Sequence, residues 1–140
     1  MAAKPAGYSG TPLSKKLGFK PGTTVALINA PAFMKAVVTE VGAKAKLAKD
    51  AKAVTSTAAA HIFVTEATAL KSALNALLKV LDRDGMIWVS WPKKASKVTT
   101  DITEDTIRKL ALPLDLVDVK VCAVDDVWSG LKLMIRKEKR

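Results

Sequence analysis

The sequence predicts a three-layer α/β fold, a mostly parallel sheet between helices that ends in an antiparallel hairpin. Three observations carry that expectation. Short, almost continuously apolar runs such as Thr24-Val25-Ala26-Leu27-Ile28 alternate with segments whose apolar residues recur at helical spacing. The last two apolar runs, 117–124 and 130–135, leave no room between them for a crossover helix, so they should pair antiparallel. The chain has 140 residues, 49% hydrophobic and 26% charged, which suits one domain with its own core. That domain is expected over 11–136, between an N-terminal arm at 1–10 and a basic tail at 137–140.

The elements follow in order. Thr11-Pro12-Leu13 opens a short helix, with Thr11 as cap and Pro12 in its first position, and Gly18 stops it. Lys20-Pro21-Gly22 is a turn, and 24–28 is a strand apolar enough to be buried on both faces. Asn29-Ala30-Pro31 launches a helix with Phe33, Val37 and Val41 on one face and Gly42 as its stop. The Ala/Lys alternation of 43–53 suits a solvated edge strand, followed by a mobile connection to residue 59. Residues 60–65 read as a second buried strand. Thr68 then caps a helix whose Leu70, Leu74, Leu77 and Leu81 form a stripe ending at Gly85. A third strand spans 86–91 and a polar loop 92–100. Asp101 and Glu104 have capping-box spacing, and their helix should end before Pro113. The two hairpin strands complete the chain.

Several function classes are excluded or disfavoured by composition. One cysteine, Cys122, allows no internal disulfide and no Cys-rich zinc site, and one histidine, His61, argues against His-ligated metal. No apolar run approaches the roughly 20 residues of a membrane span. Met1-Ala2-Ala3-Lys4-Pro5 lacks the apolar stretch of a secretory signal, so a cytoplasmic protein is expected. The net charge is +10, concentrated in residues 1–60, where nine lysines face only Glu40 and Asp50. Such an excess attracts anionic partners. With only four arginines and 5% aromatic residues, sequence-specific nucleic-acid readout is not expected.

Two resemblances extend this reading. The order of strands and helices, with its terminal hairpin, resembles the Rossmann-like fold of S-adenosylmethionine-dependent methyltransferases, and 81–89 is similar to a helix-turn-strand of that fold. Closer in sequence is an uncharacterised bacterial family, domain-of-unknown-function family 3052. It is matched at Gly7-Tyr8-Ser9-Gly10-Thr11-Pro12-Leu13, Asn29-Ala30-Pro31, Trp91-Pro92-Lys93-Lys94-Ala95-Ser96 and Thr100-Asp101-Ile102-Thr103-Glu104-Asp105. It is also matched from Asp118-Val119-Lys120-Val121-Cys122-Ala123 through Trp128-Ser129-Gly130-Leu131-Lys132. That family implies the fold and no established activity.

The methyltransferase motif itself is missing. Cofactor-binding members have a glycine-rich turn after the first strand, whereas this chain has Asn29-Ala30-Pro31-Ala32-Phe33, and proline removes an amide donor. The ribose-binding acid could only be Asp50, in a tract that does not read as a strand end. A degenerate site without S-adenosylmethionine, nicotinamide or metal is therefore expected. Ligands of open α/β sheets nonetheless bind at the carboxyl ends of the strands. There the sequence should gather Asn29, Pro31, Glu66, Trp91, Lys93, Lys94, Ser96, Thr103, Asp125 and Trp128. Lys93, Lys94, Ser96 and the helix start at Thr103 could hold an anion. Trp91 and Trp128 could wall a ring or simply anchor the hairpin. His61, at the start of its strand, and Cys122, mid-strand, read as structural. The expectation is thus a non-catalytic binding module for an anionic ligand or partner. One alternative is an enzyme on a phosphorylated or nucleotide-like substrate, with Glu66 or Asp125 as base. The other is a nucleic-acid- or ribosome-associated protein acting through Lys44, Lys46, Lys49, Lys52 and the tail Arg136-Lys137-Glu138-Lys139-Arg140.

Overall fold

In the computed structural model, which describes residues 11–140, the apolar runs become the strands of one six-stranded sheet. Along the chain the elements are α1 (Leu13–Leu17), β1 (Thr24–Ile28), α2 (Met34–Glu40), β2 (Lys44–Ala48) and β3 (Thr57–Phe63). They continue with α3 (Ala67–Leu78), β4 (Leu81–Pro92), α4 (Glu104–Ala111), β5 (Leu116–Ala123) and β6 (Trp128–Ile135). The strand order is β2-β1-β3-β4-β6-β5. The first four are parallel, and β6 runs antiparallel between β4 and β5. This is the expected fold class, with the hairpin inserted so that its second strand, not its first, joins the parallel sheet.

Two apolar layers sandwich the sheet. On one face α1 and α2 contribute Leu13, Leu17, Met34 and Val38 against Val25, Leu27, Phe63 and Trp88. On the other, α3 and α4 contribute Leu70, Leu74, Leu77 and Ile107 against Ile28, Ile62, Ile87 and Leu131. Each fully buried leucine contributes roughly 1.5–3 kcal/mol of transfer free energy. The buried tryptophan also meets its polar requirement, because Trp88 Nε1 donates to Leu17 O at 2.7 Å and ties α1 to the sheet.

Several local expectations are corrected. Pro12 occupies the cap position of α1, one residue earlier than expected. In α2 the buried stripe is Met34 and Val38, while Phe33 precedes the helix and is exposed. The Ala/Lys tract does form an edge strand, but the connection after it is a 3-10 turn, Ala51–Ala53, capped by Asp50. Helix α3 ends at Leu78, so Leu81 and Gly85 belong to β4. Gly85 is required there by close approach rather than as a helix stop, because a Cβ would stand 2.5 Å from Ala58 O. Asp101 caps the wrong helix for the expected box: its Oδ1 accepts the Ala67 N–H of α3 at 2.7 Å. Helix α4 is capped by Thr103, which exchanges hydrogen bonds with Thr106. Residues 1–10, the expected arm, lie outside the described residues.

Candidate functional site at the strand ends

The carboxyl ends of β1, β2 and β3 meet in a crevice, and its shape starts with the turn after β1. Asn29 adopts φ 53°, the left-handed conformation usually left to glycine and best tolerated elsewhere by asparagine. Its N–H donates to Ala48 O at 3.1 Å, which fixes the turn to the end of β2. Two residues past β2 lies Asp50, whose Oδ1 accepts the Lys52 N–H at 2.9 Å. Asn29 and Asp50 border one cavity of about 190 Å³, together with Ala51, Val64 and Ser72. Asn29 and Lys49 also border a wider one of about 380 Å³, with Ala30, Leu47 and Ala48. Alanines contribute to both walls, Ala51, Ala69 and Ala73 to the first cavity and Ala30 and Ala48 to the second.

Sequence reasoning named Asp50 as the one available acid and set it aside, because the Ala/Lys tract around it, taken from 43 to 53, does not read as a strand end. The strand ends at Ala48, which puts Asp50 just beyond it at the sheet's ligand edge.

The other sequence-predicted residues are dispersed. Pro31 follows Asn29 at the crevice, and its carbonyl accepts the Met34 N–H at 3.1 Å. Glu66 is exposed at the end of β3, beside the start of α3. Trp91 and Trp128 do not share a wall. Trp91 packs in the α3/α4 layer, whereas Trp128 sits edge-on to Phe63 at 5.1 Å on the opposite face. Asp125 is a turn residue whose Oδ1 accepts the N–H groups of Val127 and Trp128 at 2.9 and 2.8 Å.

Lys93, Lys94 and Ser96 lie in a loop closed on itself, with Lys93 N–H on Val127 O and Ser96 Oγ on Lys93 O, both at 2.6 Å. The Thr103 hydroxyl is occupied by the α4 cap. The hydroxyls of Ser96 and Thr103 are therefore engaged locally rather than turned to one anion. The basic tail folds back against β6 and β4, where Arg140 Nε donates to Ile135 O at 2.7 Å and Arg83 donates to Lys139 O. Strands β1 and β3 lie between it and the lysines of β2.

His61 stands mid-strand in β3 rather than at its beginning, and it is wholly buried. Its Nε2 lies 2.6 Å from Ser90 Oγ, and its ring stacks on Phe63 at 4.4 Å. Among the described residues Nδ1 has no hydrogen-bond partner, and burial pushes the imidazole down to about 3. Burial likewise pushes the Cys122 thiol up, away from the reactive thiolate. Among the described residues no three His, Cys, Asp or Glu side chains group as a metal site, and no helix is long and apolar enough to cross a membrane.

No protein-family model and no curated protein matches the sequence. Solved structures do match. A ribosomal protein L11 methylase from Lactobacillus delbrueckii subsp. bulgaricus has a TM-score of 0.64 and 15% identity, over 88% of this chain and 74% of that one. A SAM-dependent methyltransferase from Aquifex aeolicus has a TM-score of 0.67 and 14% identity, over 86% of each chain. A tRNA methyltransferase from Streptococcus pneumoniae, described as putative and solved with S-adenosyl-L-methionine, has a TM-score of 0.57 and 11% identity, over 84% of this chain and 68% of that one. The expectation of a non-catalytic binding module is overturned by these likenesses, which are to methyltransferases. At such identities they establish the fold: a Rossmann-like, methyltransferase-type sheet, mostly parallel, with its antiparallel β4-β6-β5 part.

Proposed function

We propose that this chain is a small methyltransferase whose crevice at the ends of β1, β2 and β3 binds S-adenosylmethionine. The observation that carries the reading is Asp50, an acid just beyond β2 that borders the same cavity as the left-handed turn at Asn29. A carboxylate at that strand end is the group a ribose diol requires. Asp50 Oδ1 is committed to Lys52, which orients the carboxylate and leaves Oδ2 to accept from hydroxyl groups. The donor set fits in a second respect. Ala30, Ala48 and Ala51 keep the walls open, and the Asn29 amide offers both a donor and an acceptor where Pro31 has removed a backbone N–H. Lys49, shared with the wider cavity by position, supplies the cation that an amino-acid carboxylate would pair with. When bound, the cofactor supplies a sulfonium methyl group open to displacement by a nucleophile. Glu66, exposed at the end of β3, is the carboxylate left to accept a proton there, since Asp125 is engaged in its turn.

Calorimetric titration with S-adenosylhomocysteine tests this directly. The wild-type protein should bind one equivalent, and Asp50→Ala should weaken binding by about 10-fold or more, the scale of a lost hydrogen bond to a charged group. Absence of binding by the wild type, or an unchanged affinity in Asp50→Ala, would falsify the proposal.

A further inference from the structure

The hairpin treats its two faces differently. On the α4 side Arg108 is held by three carboxylates, Glu104 at 2.8 Å, Asp118 at 3.0 Å and Asp105 at 3.3 Å. These bonds hold the guanidinium well above its ordinary range and Asp118 below the usual carboxylate range. On the α1 side two lysines meet with no carboxylate paired to either among the described residues. Lys120 of β5 and Lys132 of β6 stand directly opposite each other across the strands. Like charges in that position destabilise a sheet. Lys20, in the turn after α1, is close enough to add to the repulsion on the Lys132 ammonium. Lys132 is half-buried and its Nζ lies over Gly18, 3.7 Å from where a Cβ would stand. Burial, then Lys120 and Lys20, push its ammonium below the ordinary lysine value.

None of the three lysines forms an ion pair among the described residues, where the ion pairs belong to Arg108 and Arg136. Lys120 has a structural role, donating to Lys16 O at 3.1 Å at the end of α1. Among the described residues Lys132 and Lys20 have no such carbonyl. Lys20 does border a cleft with Asp82 and Asp84, without pairing to either.

We propose that Lys20, Lys120 and Lys132 form a site for a phosphate group on the α1 face of the hairpin, apart from the strand-end crevice. A phosphate oxyanion would end the repulsion that Lys120 and Lys20 exert on the Lys132 ammonium. Lysines suit it as mobile point charges, since the site offers no guanidinium fork. The phosphate is either a small phosphomonoester or one unit of a nucleic-acid backbone, and the two sources are separable by experiment.

The test is thermal unfolding in chloride and in inorganic phosphate at constant ionic strength. Phosphate should raise the Tm of the wild type by about 3–5 °C once it is in about tenfold excess over its Kd. Lys132→Met and Lys120→Met keep the aliphatic stem and should lose that rise, with Lys132→Met starting from a higher Tm in chloride. Lys44→Met/Lys46→Met, on the far edge strand, should respond like the wild type. No rise in the wild type, a rise retained in both hairpin variants, or an equal loss in the β2 control would overturn the proposal. A matching rise with ribose 5-phosphate identifies a phosphomonoester. Steeply salt-dependent binding of a 10-nucleotide RNA, lost in Lys132→Met, identifies a backbone. Asp50→Ala should keep the phosphate response, so this site stands or falls separately from the cofactor crevice.

Discussion

Position 61 holds a titratable ring where water does not reach, and that has a cost that can be measured. The neutral imidazole is the form the fold accepts, with a value of about 3 against 6.5 when unfolded. Below pH 6.5 the unfolded chain takes up a proton that the folded chain refuses, so stability is complete above 6.5 and falls as pH drops towards 3. The slope is about 1.4 kcal/mol per pH unit, or roughly 2 kcal/mol lost between pH 7 and pH 5. Urea unfolding at those two values should show that loss in the wild type. His61→Gln, which keeps a hydrogen-bonding partner for Ser90 without the titration, should show it reduced to a few tenths. An equal loss in both would mean another group titrates. The sequence marked His61 as structural but could not place it deep in the sheet, because depth is set by the register of β3 against β4. The same gap explains Trp91 and Trp128. Both are at the right edge, but pairing of Pro92 with Trp128 and Trp91 with Ser129 sends the rings to opposite faces.

Among the elements, strands were legible and helix ends were not. β1 falls where its apolar run predicts because five residues buried on two faces leave little freedom. The start of α3 depends on a partner distant in sequence. Asp101 illustrates this: its spacing to Glu104 suggests a local box, yet its carboxylate reaches the first amide of α3, 34 positions back. Asp101→Ala should therefore destabilise the protein by about 1 kcal/mol, with faster amide exchange at Ala67 and unchanged exchange in α4. Loss of protection in α4 instead would restore the local box. The crevice was half legible for a related reason. Asn29 was found from the break after an apolar strand, while Asp50 was set aside because the Ala/Lys alternation continues past it and hides the end of β2 at Ala48.

Across the whole molecule, one sheet serves both apolar layers, so neither layer can open without exposing the back of the other. Leu74→Ala in the α3 layer and Val38→Ala in the α2 layer should both lower a single transition, by about 2–5 and 1–3 kcal/mol respectively. Backbone circular dichroism and Trp88 fluorescence should follow the same curve in each variant. Separate curves would show that the layers unfold independently. The loop from Lys93 to Asp101 has a different standing in the molecule. Its ends are pinned beside two strand ends, by Lys93 N–H on Val127 O and by Thr100 Oγ1 and Asp101 N–H on Thr65 O, while the segment between is largely exposed. Chain length between those pins is consequently independent of the distance between them. The loop is a cassette: segments of other lengths should splice between residues 96 and 99 with the sheet unaware of the exchange.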